Sequence, residues 1–248
     1  MKKIIISLTS IPPRFAGLNQ VITSLLSQTV KPDHIILNIP NTYSRFPGEV
    51  MPVNLDPIVI INRLSKDYGP ASKLLGLQEL DLFHKISDDS VIICVDDDRY
   101  YHCGMVEMFV RNVAEKRAIT IAGWDINTIS NNMLSYLYLN MPRGIEYVSP
   151  GYIDILGGCC GFALLKNDCP FADKTIFMLN ADDPKYYVDD VWISGFLTMN
   201  KISIYMIPGY GDAQRLLNDS ISPLYDNTRT AKNIFCITYF RDNYNIWN

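Results

Sequence analysis

The stretch Val91 to Tyr101, VIICVDDDRYY, most narrowly limits how this chain can fold. Val91 to Val95 has the length and β-branched content of a fully buried strand. It stops on three consecutive carboxylates, Asp96, Asp97 and Asp98. Three like charges at a strand end repel one another and are costly to desolvate without a cation. A divalent metal is the usual remedy, because Mg2+ and Mn2+ prefer hard oxygen ligands and share them with a substrate's phosphates. In an open α/β sheet, ligands bind beyond the carboxyl ends of the strands. The stretch therefore reads as a metal and phosphate site. The plainer alternative is an acidic turn whose last Asp caps the next helix.

The chain before the triplet has a strand–helix rhythm. Lys3 to Thr9 reads as a buried strand, left by the loop Ser10-Ile11-Pro12-Pro13-Arg14, whose prolines forbid helix and ladder alike. Leu18, Val21, Ile22, Leu25 and Leu26 form the stripe of an amphipathic helix. His34 to Ile39 and Pro57 to Ile61 are strands, separated by an irregular loop over 40–56. After Lys66-Asp67-Tyr68-Gly69-Pro70 a helix is expected, with Ala71, Leu75, Leu82 and Ile86 on one face and Lys73 near its start. Met105, Met108, Phe109 and Val113 mark a further helix, and Ala118 to Gly123 a fifth strand. This alternation is that of a parallel sheet with right-handed crossovers.

The second half is less regular. Residues 127–138 take no firm assignment, while Ile145 to Val148 and Tyr152 to Leu156 read as short strands. Gly157-Gly158-Cys159-Cys160-Gly161 leads into the apolar run Phe162 to Leu165. Asp189-Asp190 opens a helix with Val191, Trp192, Gly195, Phe196 and Met199 on its buried side. Ile202 to Ile207 is a strand, 208–230 is loop-like, and Ala231 to Phe240 fits helix or strand. With no repeat, linker or low-complexity tract, a single domain over 1–248 is expected, with a nucleotide-binding half at 1–123 and an acceptor-binding half at 124–248.

The remaining polar candidates fall at strand ends and loops, where a parallel sheet gathers its site. Thr9, Ser10 and the backbone of that loop suit the edge of a nucleobase. Asp67 suits ribose hydroxyls, and Arg14, Arg63 and Lys73 suit phosphate charge. Each is weak alone, since Asp67 also reads as a turn residue and Lys73 as a solvated helix residue. The Gly-rich turn is not a P-loop, for it lacks the GK[ST] ending. Gly157 and Gly158 either pack strands closely or let the backbone approach a sugar. Asp189-Asp190 reads as a helix cap, yet one Asp suffices to cap. A second carboxylate beside a metal suits a general base. Trp124 and Trp192 suit either sugar stacking or the core.

Bulk properties narrow the class. A length of 248 residues allows one large α/β domain, and a formal net charge of −4 argues against an electrostatic nucleic-acid binder. No stretch approaches the roughly 18–20 apolar residues of a membrane span. The six cysteines form no CxxC pair or zinc spacing, so reduced thiols in a soluble cytoplasmic protein are expected.

Taken in order, SLTSIPPR at the first strand, DYGPASK before a helix, VDDD at a strand end, GGCCG and DDVWISGFL resemble GT-A glycosyltransferases. The nearest likeness is to the compact type of large algal DNA viruses and bacterial polysaccharide clusters. It covers most of residues 1–200. The resemblance implies a GT-A fold, a Rossmann-like and mostly parallel sheet flanked by helices with a smaller mixed sheet in the second half. It implies a nucleotide-sugar donor across the first half, with Asp96 and Asp97 on the nucleotide side, and Asp98 with Asp96 holding Mn2+ or Mg2+ on the diphosphate. The acidic pair matches Asp189-Asp190, with Asp190 as base. One departure stands out: many GT-A enzymes add a late histidine ligand, and this chain has none after His102.

The expected activity is inverting transfer of a hexose or deoxyhexose from a UDP- or GDP-sugar to a hydroxyl of a glycan acceptor. The loops 40–56 and 208–230 would cover donor and acceptor. The rivals are a sugar-1-phosphate nucleotidylyltransferase, which would usually carry a Gly-rich basic loop where this chain has SIPPR, and a non-catalytic carbohydrate-binding protein.

Overall fold

The computed structural model of the chain describes residues 2–48, 51–52, 55–126, 150–208, 214–215 and 228–248. The expected strand at 145–148, the unassigned stretch 127–138 and most of the loop 208–230 lie outside the described residues.

The apolar runs of the first half form the strands β1 (Ile4–Thr9), β2 (His34–Pro40), β3 (Val59–Leu64) and β4 (Val91–Cys94). They lie in the order β3-β2-β1-β4, all parallel, with helices in the crossovers from β1 to β2 and from β3 to β4 and a long connection from β2 to β3. The sheet then continues with β10 (Phe162–Leu165), β6 (Arg117–Thr120), β11 (Ser203–Met206) and β8 (Gly151–Ile153). Here it becomes mixed. β10 is antiparallel to both β4 and β6, β11 is parallel to β6, and β8 closes the edge antiparallel to β11.

The inserted β10 places the site. Phe162 pairs with Cys94, so the glycine turn just before β10 lies beside the carboxylates just after β4. The smaller sheet expected in the second half takes the form of two antiparallel pairs. One joins β5 (Arg99–Tyr100) to β12 (Gln214–Arg215), the other β7 (Gly123–Trp124) to β9 (Ile155–Leu156).

Side chains alternate across the strands, so the sheet buries two cores. Ile6, Leu8, Ile35, Leu37 and Ile93 meet α1 (Leu18–Leu26) and α4 (Met105–Asn112) on one face. Ile5, Ile36, Ile92, Phe162 and Leu164 meet the opposite layer, which includes α5 (Asp189–Met199) and α6 (Arg229–Tyr244). The expected stripe of α1 is buried at Leu18, Val21, Ile22 and Leu25. The ambiguous stretch 231–240 is helix, inside α6. Gly195 explains how close α6 comes: a Cβ there would lie 2.2 Å from the Phe240 ring.

Two sequence expectations need correction. The single helix after Pro70 is broken into short pieces, with α2 (Ser72–Leu75) and α3 (Asp81–Lys85) as its α-helical turns. Asn38 and Asn62 interrupt it. Asn62 Nδ2 donates to the Gly76 carbonyl at 2.8 Å, and a Cβ at Gly76 would lie 2.6 Å from Asn38 Oδ1. At Leu80 the backbone is extended. The strand expected over 118–123 ends at Thr120, and Gly123-Trp124 turns off to pair with β9. Gly123 allows this, since a Cβ would lie 2.3 Å from the Ile155 carbonyl oxygen.

Candidate active site

β4 delivers the triplet at its carboxyl end, and the chain itself answers the three charges. Asp96 Oδ1 lies 2.6 Å from Lys73 Nζ. Asp97 accepts from Ser10 Oγ at 2.5 Å and from Arg14 Nη1 at 2.7 Å. Asp98 takes Arg14 Nη1 at 3.2 Å and stands 3.4 Å from Arg99 Nε. The repulsion read from the sequence is thus met in this structure by three cationic side chains. The proline loop serves to present Ser10 and Arg14 to Asp97. The reading of Asp98 as a cap for the next helix is set aside: α4 begins at Met105, with Gly104 at its N-cap.

Lys73 is the hub. It is 2 % exposed, where the sequence allowed a solvated helix residue. Its Nζ also lies 2.8 Å from Asp189 Oδ2, so one ammonium joins the triplet to the acidic pair. A polar ladder in the strands holds it there. Ser7 Oγ donates to the Lys73 carbonyl at 2.5 Å, Asn38 Nδ2 to Ser7 Oγ at 2.8 Å, and Asn62 Nδ2 to Asn38 Oδ1 at 2.9 Å. Burial alone would lower the Lys73 pKa, but Asp189, Asp96 and Asp190 together raise it well above the ordinary lysine value. Burial likewise pushes Asp96 up, and Lys73 outweighs it and holds Asp96 below the usual carboxylate range.

The acidic pair does not cap its helix. Val188 is the N-cap of α5, and Asp189 and Asp190 lie in the first turn, where the helix dipole favours negative charge. Their environments differ. Asp189 is buried against Lys73. The side chain of Asp190 keeps 15 % exposure, accepts from the Gly158 backbone N–H at 3.0 Å, and has Arg229 Nη2 at 4.0 Å. Burial and then the neighbouring Asp189 charge push Asp190 up to about 7, against the pull of Lys73 and Arg229. Burial, followed by Asp96 and Asp97, pushes Asp98 up to about 6.

The glycine turn closes this side. A Cβ at Gly158 would lie 2.7 Å from Asp190 Oδ1 and 2.8 Å from Lys73 Nζ. Gly157 donates its N–H to the Ala122 carbonyl at 2.7 Å. Close packing, the first of the two roles read for these glycines, is therefore realised in this turn.

Other candidates form a neighbouring wall. Thr9 Oγ1 donates to the Asn38 carbonyl at the end of β1. Tyr43 donates to the Ser10 carbonyl, and its ionisation is opposed by burial and then by Asp67, with Arg63 favouring it. Asp67 accepts from the backbone N–H groups of Ser44 and Gly69, which is the turn role. Arg63, on the outer strand β3, reaches Asn41. Of the two roles read for the tryptophans, the structure shows core packing. Trp192 is 1 % exposed and donates to the Ile176 carbonyl, and Trp124 is buried in the same apolar cluster.

Sequence reasoning missed Arg99, Tyr101 and Arg229. Arg99 follows the triplet directly, and the Tyr101 hydroxyl accepts from the Asp96 N–H at 2.8 Å; both were legible as neighbours of the triplet. Nothing in the sequence marks Arg229.

Mg2+ or Mn2+ would meet hard oxygen donors at Asp96 and Asp98, and Asp98 Oδ1 is buried without a hydrogen bond. Among the described residues no group of three or more His, Cys, Asp or Glu side chains gathers as a metal site. Asp96 and Asp98 are hard-oxygen donors of the kind Mg2+ and Mn2+ accept, and the rest of a shell would come from outside the described residues.

No family model and no curated protein matches the chain. Solved structures do. Residues 1–349 of TarS from S. aureus, in complex with UDP, match with a TM-score of 0.50 at 9% identity, over 98% of this chain and 66% of that one. 4-Diphosphocytidyl-2C-methyl-D-erythritol synthase matches with a TM-score of 0.50 at 9% identity, over 90% of this chain and 96% of the other. A nucleotidyl transferase from Methanothermobacter gives 0.48 at 12% identity, over 98% of this chain and 100% of that one. The two matches at a TM-score of 0.50 speak for the fold alone: α/β, with a mostly parallel central sheet, of the GT-A-like type. No helix among the described residues is long and apolar enough to cross a membrane.

Proposed function

We propose that the chain is a metal-dependent, inverting glycosyltransferase that moves a hexose or deoxyhexose from a UDP- or GDP-sugar to a hydroxyl of a glycan acceptor. The observation that carries this reading is the Lys73 ammonium, 2.6 Å from Asp96 and 2.8 Å from Asp189, which joins the triplet to the acidic pair, beside which Asp190 is a partly open carboxylate pushed up to about 7 by burial and then by Asp189. A base with a pKa near the operating pH is best placed to take a hydroxyl proton. The UDP in the TarS complex supports a nucleotide donor on this fold.

In this mechanism Asp190 Oδ2 takes the acceptor's proton on the face opposite the leaving diphosphate, while the Gly158 N–H fixes Oδ1. Asp189 and Lys73 position that carboxylate. Asp96 and Asp98 would hold Mn2+ or Mg2+, which when bound supplies charge stabilisation to the departing diphosphate. Ser10 and Arg14 keep Asp97 out of that role and hold the loop beside the nucleotide. The oxocarbenium-like transition state is shared with glycosidases. The likeness to the algal-virus and bacterial type rests on the motif order alone.

Nucleotidyl transfer is the second reading, favoured by the match to the 4-diphosphocytidyl synthase over nearly its whole length. It requires no base for an acceptor hydroxyl on a sugar, and it releases pyrophosphate from a nucleoside triphosphate. The Asp190→Asn variant separates the two. Glycosyl transfer predicts unchanged donor affinity and turnover lower by at least about 10²-fold. Pyrophosphate release from a triphosphate and a sugar phosphate, undiminished in the variant, would install the second reading instead.

A further inference from the structure

Arg99 has no role in the reading above, although it is among the most buried charged residues of the chain, at 5 % exposure. Its Nε and Nη1 are buried and make no hydrogen bond, and among the described residues the one carboxylate in ion-pair range is Asp98, 3.4 Å from Nε. The carboxylate oxygen facing it, Asp98 Oδ1, is equally without a hydrogen bond. Two opposite charges thus sit within reach of each other and leave both sets of polar atoms unsatisfied. Burying a guanidinium in that state is costly unless another partner arrives.

The surroundings indicate the kind of partner. Arg99 lies near enough to the glycine turn at Cys159 and Cys160, as well as to Asp98 and Asp96, to feel a charge on any of them. It therefore neighbours both the triplet and that turn. β5, which carries it, is pinned by pairing Arg99 with Arg215 in β12. A guanidinium fork matches phosphate oxygens in a way an ammonium does not. Nε faces Asp98 Oδ1 at 3.4 Å, so an anion can take that place when the carboxylate turns to another partner. A diphosphate carrying a divalent cation brings both: a cation for Asp98 and anionic oxygens for Arg99.

We infer that Arg99 is a phosphate-binding residue for a metal-bound diphosphate group, with the Arg99–Asp98 pair as the resting arrangement that the ligand takes apart. The inference rests on the donor site proposed above and adds a residue to it.

The test is calorimetric titration of the full chain with inorganic pyrophosphate, UDP, GDP, uridine and guanosine, each with Mn2+. Wild type is compared with Arg99→Met, Arg99→Lys and the surface control Arg111→Met, with folding followed by thermal unfolding. Arg99→Met should weaken pyrophosphate and nucleoside diphosphate binding at least about tenfold, leave nucleosides unchanged, and differ from the control. If that variant does not fold, Arg99→Lys decides, since it keeps the charge without the fork and should still lose several-fold. Unchanged diphosphate affinity in the folded variants overturns the inference and leaves the donor reading standing. Arg99-dependent pyrophosphate binding with no nucleoside diphosphate binding upholds Arg99 and overturns the nucleotide-sugar reading. A wild-type chain that binds neither overturns both.

Discussion

Lys73 Nζ and Asp189 Oδ2 stand 2.8 Å apart with both side chains nearly closed to solvent, and this contact fastens the acidic pair to the strand that carries the triplet. Breaking a buried ion pair by removing one partner leaves an uncompensated charge. Lys73→Met should therefore cost about 3 kcal/mol or more of stability. Urea unfolding measures this, and a loss below about 1 kcal/mol would show that the hub is not structural.

Trp192 packs on Phe196 and Phe240 at ring-centroid distances of 4.9 Å and 5.5 Å and donates inward to Ile176. Trp192→Ala should cost about 3–5 kcal/mol. Trp192→Phe, which keeps most of the volume, should leave the Michaelis constant for acceptor unchanged. A selective rise in that constant in a stable Trp192→Phe protein would restore the stacking role.

Gly158 is the position where a single methyl group meets both Asp190 and Lys73. Gly158→Ala should displace the carboxylate and lower turnover by about 10²-fold, as sub-ångström to ångström displacements do. Donor affinity should hold. Steady-state kinetics with a donor titration checks this, and wild-type turnover would mean that the carboxylate can move without consequence.

The pH dependence has a definite sign. Asp190 acts as base when ionised, so turnover should rise with pH, reach half its plateau near pH 7, and level above it. Stability should run oppositely. A carboxylate raised in the folded state favours its protonated form there, so stability falls as pH climbs from about 4 through about 7. Asp98 acts with the same sign up to about 6. Asp190→Asn should remove the upper part of that fall and be more stable than wild type at pH 8, which chemical denaturation at several pH values would show.

Much of the fold was legible because apolar strands and the α1 stripe follow simple periods: β1, β2, β4 and α1 lie close to where the periodicity puts them. The antiparallel insertion of β10 was not, since strand order depends on long-range pairing that Phe162–Leu165 does not encode locally. The break after Pro70 escaped because its cause, Asn38 and Asn62, lies in other strands. The site was legible as charge without its pairing. Asp96, Asp98 and Asp190 stand out by position, yet nothing adjacent in sequence says that Lys73 bridges Asp96 to Asp189 or that Trp192 points inward.

The most direct test of the central claim is calorimetric titration of UDP- and GDP-sugars into wild type and Asp98→Ala, with Mn2+ and with chelator. The account predicts that wild type binds one of these donors only with metal and that Asp98→Ala loses that binding. Equal binding with and without metal, or an unaffected Asp98→Ala protein, would contradict the assignment of the triplet as the donor's metal site.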